Sequence, residues 1–199
     1  MAANTDFDTA VSQLNAGCAV VFPTDTVYGL GVAVEKAPTP DIIYDIKERD
    51  RRKPVAWLVG GIEDLDAYGK VVPEIAKTLA RTFWPGPLTL IVRAGDAVPE
   101  AFRSPAGTIG LRMPASETAR KLIERVGCPL ATSSANLAGG PSPRAYDELD
   151  PALLAKISCA LHDGEMKSGI SSTVVDCSTG HAVVLREGAI TIADIQALC

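Results

Sequence analysis

Small polar residues collect at the ends of apolar runs in three places along the chain. Thr24-Asp25-Thr26 follows Cys18–Phe22, Thr132-Ser133-Ser134-Ala135-Asn136 follows another apolar stretch, and Ser171-Ser172-Thr173 opens a third. In open α/β sheets, strand ends are where hydroxyls, amides and glycine-freed backbone N–H groups can point at one small molecule. Cations accompany them. "KERDRRKP", Lys47 to Pro54, holds five basic residues, and Arg112, Arg144 and Arg186 stand in apolar or glycine-proline surroundings. Hydroxyls with Lys and Arg can position a nucleotide and neutralise its phosphates. No GxSxG, HExxH, GxxxxGK[ST] or GxGxxG appears, so nothing local spells a nucleophile, a zinc protease or a dinucleotide site. Each cluster also has a structural reading: Thr and Asp form turns, "TSSAN" can cap a short helix, and a lone charge run can be a solvated helix end. Arg112 in "GLRMP" is different, because alternation on a strand puts its charge on one face, where it needs water or an anion.

Composition narrows the field. The 199 residues are 47% hydrophobic and 22% charged, with a net charge of −5, an ordinary globular profile and a poor fit to a protein whose whole surface grips nucleic acid. Local basicity in an acidic chain suits a small anion better. The longest apolar runs, five to six residues, fall short of the roughly 20 that span a bilayer, and "MAANTDFDTAV" lacks the basic and apolar parts of a signal peptide. No membrane association and a cytoplasmic location are expected. Five widely spaced cysteines without a CxxC pair, and only His162 and His181, suggest neither a disulfide framework nor a metal site.

The elements that must position these groups alternate along the chain. Helices are expected from Phe7 (capped by Thr5 or Asp6, closed by Gly17), after Thr39-Pro40-Asp41 with Lys47 and Arg49 at the end, and over Pro73–Phe83, Ser116–Val126 and Thr191–Leu198. Strands are expected over Cys18–Phe22, Val55–Val59, Leu88–Val92, Thr108–Met113, Pro129–Thr132, Ile157–Leu161, Thr173–Asp176 and Ala182–Leu185. The spacing predicts one α/β domain over residues 1–199, with a mixed sheet, packed helices and an antiparallel section. "LAGGPSPR" reads as a site loop, and the rigid turn Trp84-Pro85-Gly86-Pro87 carries little functional weight by itself.

Taken in order, "PTDTVYGLG", Lys47-x-Arg49 with Lys53-Pro54, "FWPGPLTL", "TIGLRMP", "TSSANLAGGPSP", "SSTVVD" and "LREG" resemble the successive motifs of the YrdC-type threonylcarbamoyl-adenylate synthases, the TsaC enzymes, from about Val20 to Gly188. The resemblance implies a twisted mixed sheet with helices and a concave basic face, the YrdC-like (RibB-like) fold. It implies an enzyme, a nucleotidyltransferase, that joins L-threonine, bicarbonate and ATP into threonylcarbamoyl-AMP and pyrophosphate. That product is the donor for N6-threonylcarbamoyladenosine in tRNA, and tRNA-modifying partner enzymes accept it. Mg²⁺ would travel with ATP, without a dedicated protein site.

Carried over by position, Thr26, Arg112, Thr132 and Ser172 would hold L-threonine, with Arg112 gripping the carboxylate through two parallel hydrogen bonds. Lys47 and Arg49 would be catalytic. Arg49, Lys53, Thr108, Ser134, Asn136, Ser142 and Arg186 would hold the nucleotide. Asp50 stands where the family has proline, Leu58 where the longer enzymes have a histidine in the substrate wall, and Asp163-Gly164-Glu165 where a glycine pair is common. Two other readings remain: a double-stranded RNA-binding or ribosome-maturation protein using the same basic surface, and a paralogue that adenylates something else.

Overall fold

A computed structural model describes residues 6–157 and 159–198; Thr5, Ser158 and Cys199 therefore lie outside the described residues. In chain order the elements are α1 (Phe7–Asn15), β1 (Val20–Pro23), β2 (Tyr28–Ala33), α2 (Asp41–Lys47), β3 (Ala56–Leu58), α3 (Asp64–Tyr68), α4 (Glu74–Phe83), β4 (Leu88–Arg93), β5 (Thr108–Arg112), α5 (Glu117–Val126), β6 (Leu130–Ser134), α6 (Pro151–Leu154), β7 (Thr173–Asp176), β8 (Val183–Arg186) and α7 (Ile192–Gln196), with 3₁₀ turns at Glu100–Phe102 and Tyr146–Glu148. The eight strands form one sheet in the order β1-β2-β6-β3-β5-β4-β7-β8. Among the described strand pairs β3/β5 and β4/β7 run parallel and the rest antiparallel, so the fold is a mixed α/β sheet as the spacing predicts.

Local chemistry sets the helix ends. The Asp6 carboxylate accepts the Thr9 N–H at 2.7 Å to start α1, Ser116 accepts from Ala119 to start α5, and Thr191 and Asp194 form a reciprocal capping box on α7. Gly127 closes α5 at φ 79°, a left-handed turn that a side chain would strain. At α2, Pro40 rather than Thr39 is the cap residue, and Thr39 Oγ1 accepts the Asp41 N–H.

Three elements escape the periodicity. β2 is a full six-residue strand, hairpinned to β1 across Thr24–Val27 and paired on its other side with β6. Its glycines are packing requirements: a Cβ on Gly31 would sit 2.9 Å from both the Phe22 ring and Thr132 Oγ1. α3 and α6 are single turns of five and four residues, too short for a repeat to register. The strand expected over Ile157–Leu161 is reduced, among the described residues, to a bridge between Ala160 and Val21. Cys159 O accepts from Val21 N and Leu161 N donates to Val21 O, which covers the outer edge of β1.

The core runs through the whole sheet. Phe22, Tyr28, Leu30, Trp57, Leu88, Leu90, Ile109 and Leu111 are essentially inaccessible, and α1 and α5 pack on each other and on β1. Along β5 the pattern alternates: Ile109 and Leu111 enter the core, whereas Thr108, Gly110 and Arg112 face the other side of the sheet and line a cavity.

Candidate functional site

A cavity of about 370 Å³ opens over that second face, within the usual range for small-molecule sites. Strand alternation supplies its wall: Ala56 and Leu58 from β3, Thr89 and Ile91 from β4, Thr108, Gly110 and Arg112 from β5, Thr132 and Ser134 from β6. The register makes these a continuous surface, since Ala56 pairs with both Thr132 and Gly110, and Gly110 with Ile91. Thr26 comes from the β1–β2 turn, Ser172 from the residue before β7 and Arg186 from the end of β8, and Arg49 and Ser142 also line the cavity.

Arg112, 6% exposed, is held by three acceptors. Its Nε donates to Gly86 O at 3.0 Å, Nη1 to Thr26 Oγ1 at 3.0 Å and Nη2 to Asp25 Oδ1 at 2.7 Å. Burial lowers the guanidinium pKa, and the Asp25 charge and hydrogen bond oppose that shift. A guanidinium has five N–H groups, so one remains on each terminal nitrogen, the pair that a carboxylate's two oxygens take. Thr24 Oγ1 donates to Val27 O at 2.6 Å and lies 3.1 Å from Thr26 Oγ1, which fixes the turn carrying Asp25 and Thr26. The Trp84–Pro87 turn, to which the sequence reading gives little weight, supplies the Gly86 carbonyl.

Ser172 anchors the opposite wall. Its Oγ lies 2.9 Å from Thr89 Oγ1 and accepts from Arg186 Nη2 at 3.2 Å, while Arg186 Nη2 also donates to Ser172 O at 2.8 Å. Burial lowers the Arg186 pKa, and the nearby Arg112 and Arg49 charges push the same way. Arg186 thus feels the charges of both other guanidiniums on the cavity. Of the cavity's three arginines, only Arg112 has a carboxylate partner among the described residues, with side chains 8% and 18% exposed.

Arg49 is held loosely. Nη1 donates to Ser133 Oγ at 3.3 Å and Nη2 to Pro54 O at 3.2 Å, while its buried Nε has no partner. Burial lowers its pKa, against the pull of Tyr44 and Asp50.

Nine of the expected site residues, Thr26, Arg49, Thr108, Arg112, Thr132, Ser134, Ser142, Ser172 and Arg186, line the one cavity. Lys47, Lys53 and Asn136 are not among its lining residues. Lys47 is 1% exposed at the end of α2, and its ammonium donates to the backbone carbonyls of Ser134 and Asn136 and, at 3.4 Å, to Asn136 Oδ1. Burial, with Arg49 adding to it, pulls that ammonium down to about 8. Asn136 donates its amide to Leu137 O and Gly140 O, both at 2.8 Å, and accepts from Ser134 Oγ. Together they shape the loop that presents Ser134. Lys53 is exposed, and its carbonyl accepts from Tyr44 Oη.

Sequence reasoning placed Asp25 in a polar strand-end cluster but gave it no role of its own; its partner Arg112 is 87 positions away. Thr89 and Ser104, also in the wall, belong to no polar cluster that a scan of the sequence would notice. Leu58 also lines the cavity.

A family profile named for Sua5, YciO and YrdC, and described as "Telomere recombination", matches residues 12–188. The chain belongs to the Sua5/YciO/YrdC family. Among its relatives is a threonylcarbamoyl-AMP synthase of Pyrococcus abyssi, 37% identical over 94% of this chain and 55% of that protein. A putative threonylcarbamoyl-AMP synthase of Mycobacterium tuberculosis strain H37Rv is 35% identical over 92% of this chain and 83% of its own length. The structure of P. abyssi Sua5 complexed with L-threonine superposes with a TM-score of 0.90 at 36% identity, covering 96% of this chain and 56% of that one. The chain spans about half the length of the P. abyssi and Bacillus subtilis relatives. Like the Sua5 and YciO structures, this family member is built on a mixed α/β sheet. None of its described helices is long and apolar enough to cross a membrane, and among the described residues no three His, Cys, Asp or Glu side chains are placed to hold a metal ion.

Proposed function

We propose that this family member is an L-threonylcarbamoyladenylate synthase, a nucleotidyltransferase that takes L-threonine, bicarbonate and MgATP to threonylcarbamoyl-AMP and pyrophosphate. One observation carries the reading: three guanidiniums and a ring of hydroxyls drawn from across the sheet face one cavity, and only one of the three is matched by a carboxylate. The names of the relatives and the threonine-bound Sua5 structure support it.

In this reading the threonine carboxylate takes the two spare N–H groups of Arg112, and Thr26, Thr132 and Ser172 complete the subsite. Thr108, Ser134 and Ser142 line the nucleotide side, and Arg49 and Arg186 meet the phosphates. Lys47 and Asn136 serve from behind by fixing the Ser134 loop, and Lys53 reaches the phosphates only if the 48–54 segment closes. The threonine amine adds to carbon dioxide, or to bicarbonate with loss of water, giving a carbamate. A carbamate oxygen then bonds to the α-phosphorus of ATP as the bond to the β-phosphate oxygen breaks, and pyrophosphate leaves with its magnesium. No protein nucleophile is needed. The protein contributes alignment, positive charge for the developing phosphate oxygens and shelter of a labile carbamate from water. The adenylate would pass to cytoplasmic tRNA-modifying partner enzymes.

Pyrophosphate release is the test. Purified protein mixed with MgATP and bicarbonate should release it with L-threonine and at least about tenfold less with serine or valine, the scale expected for a methyl or hydroxyl difference in a pocket. Equal release with every amino acid, or none with threonine, would refute the assignment.

A further inference from the structure

A glycine inside a central strand weakens it, having no side chain to pack and more freedom to lose on folding. Packing accounts for the two in β2, Gly29 and Gly31. A Cβ on Gly31 would come within 2.9 Å of Phe22 and Thr132, and one on Gly29 within 3.0 Å of Thr132 Cγ2. Gly110 is different. A Cβ there would meet Thr89 Cγ2 at 3.4 Å and the Ala56 Cβ at 3.6 Å, ordinary van der Waals contact, and Gly110 is not among the positive-φ residues. Neither the protein's atoms nor the backbone conformation calls for glycine in the middle of β5.

What the missing side chain leaves open is the cavity. Gly110 lines it between Thr108 and Arg112, each two residues away, or about 7 Å at strand rise. We propose that Gly110 is a positioning residue, the floor of the reacting centre, over which the carbamate grown from the amino acid meets the α-phosphate of the nucleotide. The inference rests on the function proposed above, in which Arg112 holds the amino-acid carboxylate and Thr108 faces the nucleotide. The reacting atoms must approach to about 3–3.5 Å, and a displacement of about 1 Å can cost on the order of a hundredfold in rate. A methyl or isopropyl group rising from position 110 would stand between the two subsites. Each substrate would still bind alone, but the two would be held apart.

Gly110→Ala and Gly110→Val test this, with Ala deciding if Val does not fold. Thermal melting of Gly110→Ala should be unchanged or higher, because its one added carbon meets only ordinary contacts. Calorimetric binding of L-threonine alone and of MgATP alone should stay within about threefold of wild type, while pyrophosphate release at saturation falls by about a hundredfold for Ala and further for Val. Turnover of the folded variants within threefold of wild type would overturn the inference. So would loss of turnover that merely tracks lost binding of one substrate, which would make Gly110 part of that single subsite. If wild-type protein releases no pyrophosphate, the proposed function fails and takes this inference with it; if wild type is active, the variants alone decide.

Discussion

Two arginines on the same cavity are held in opposite ways. Arg112 rises from the centre of the sheet with hydrogen bonds of 2.7–3.0 Å to a carbonyl, a hydroxyl and a carboxylate. Arg49 follows α2, on a segment that turns through a left-handed Glu48, and its contacts to Ser133, Pro54 and Lys53 run from 3.2 to 3.5 Å, with Nε unmatched. The first is preorganised: its charge is compensated, its orientation fixed, and two donors are left for a planar anion. The second keeps its charge uncompensated and its bonds weak, so a phosphate can recruit it at little cost. In the proposed function, that contrast would give geometric selection to the Arg112 end and charge neutralisation to the Arg49 end.

Arg112→Ala should have the largest effect. Removing two charged hydrogen bonds, each worth about 1.5–3 kcal/mol, should weaken threonine binding at least about a hundredfold in calorimetry and leave MgATP binding nearly intact. Because Asp25 would be stranded, stability in urea should fall by about 3 kcal/mol or more. Equal loss of both ligands would erase the distinction between the two ends.

Lys47→Met comes next. It strips buried carbonyls of Ser134 and Asn136 of their donor, at about 1–3 kcal/mol. Its pH signature is specific. With the folded pKa near 8 and an unfolded value of about 10.4, the unfolded chain binds more protons across that window, so this lysine makes stability rise from pH 8 towards 10.4. Its contribution is full above the unfolded value and lost as pH falls through 8. Urea midpoints of wild type and variant should therefore differ in slope over that window and run parallel below it.

Arg49→Ala should raise the ATP requirement about tenfold, the worth of one charged contact, with threonine binding unchanged and stability altered by under about 1 kcal/mol. A stability loss as large as that of Arg112→Ala would mean that Arg49 is structural. Arg51→Ala should do least. Its pairs with Asp41 and Asp45 are more than half exposed, and such pairs contribute about 0–1 kcal/mol, so turnover and urea midpoint should barely move.

Much of the fold was legible because its signals are local. Asp6, Ser116 and Thr191 cap helices through residues three positions on, and β4, β5 and β7 are runs of apolar residues whose type alone favours a strand. β2 was hidden because Gly29 and Gly31 resemble turn residues, whereas they answer to Phe22 and Thr132 on neighbouring strands. The site divides in the same way. Arg112, Thr26, Thr132 and Ser172 are conspicuous as polar groups in apolar company, while nothing near Lys47 in the chain shows that its ammonium turns away from the cavity towards Ser134 and Asn136, 87 and 89 residues on.

The sequence by itself determined which residue types are at hand, where most helices start and stop, and which strand positions share a face, since caps and alternation involve neighbours a few residues apart. Only the tertiary structure decided that Asp25 neutralises Arg112, that Lys47 braces a loop, and that Gly110 lines the cavity with Thr108 and Arg112. Those facts depend on strand order and register between distant segments, where a shift of one residue would send every side chain to the opposite face.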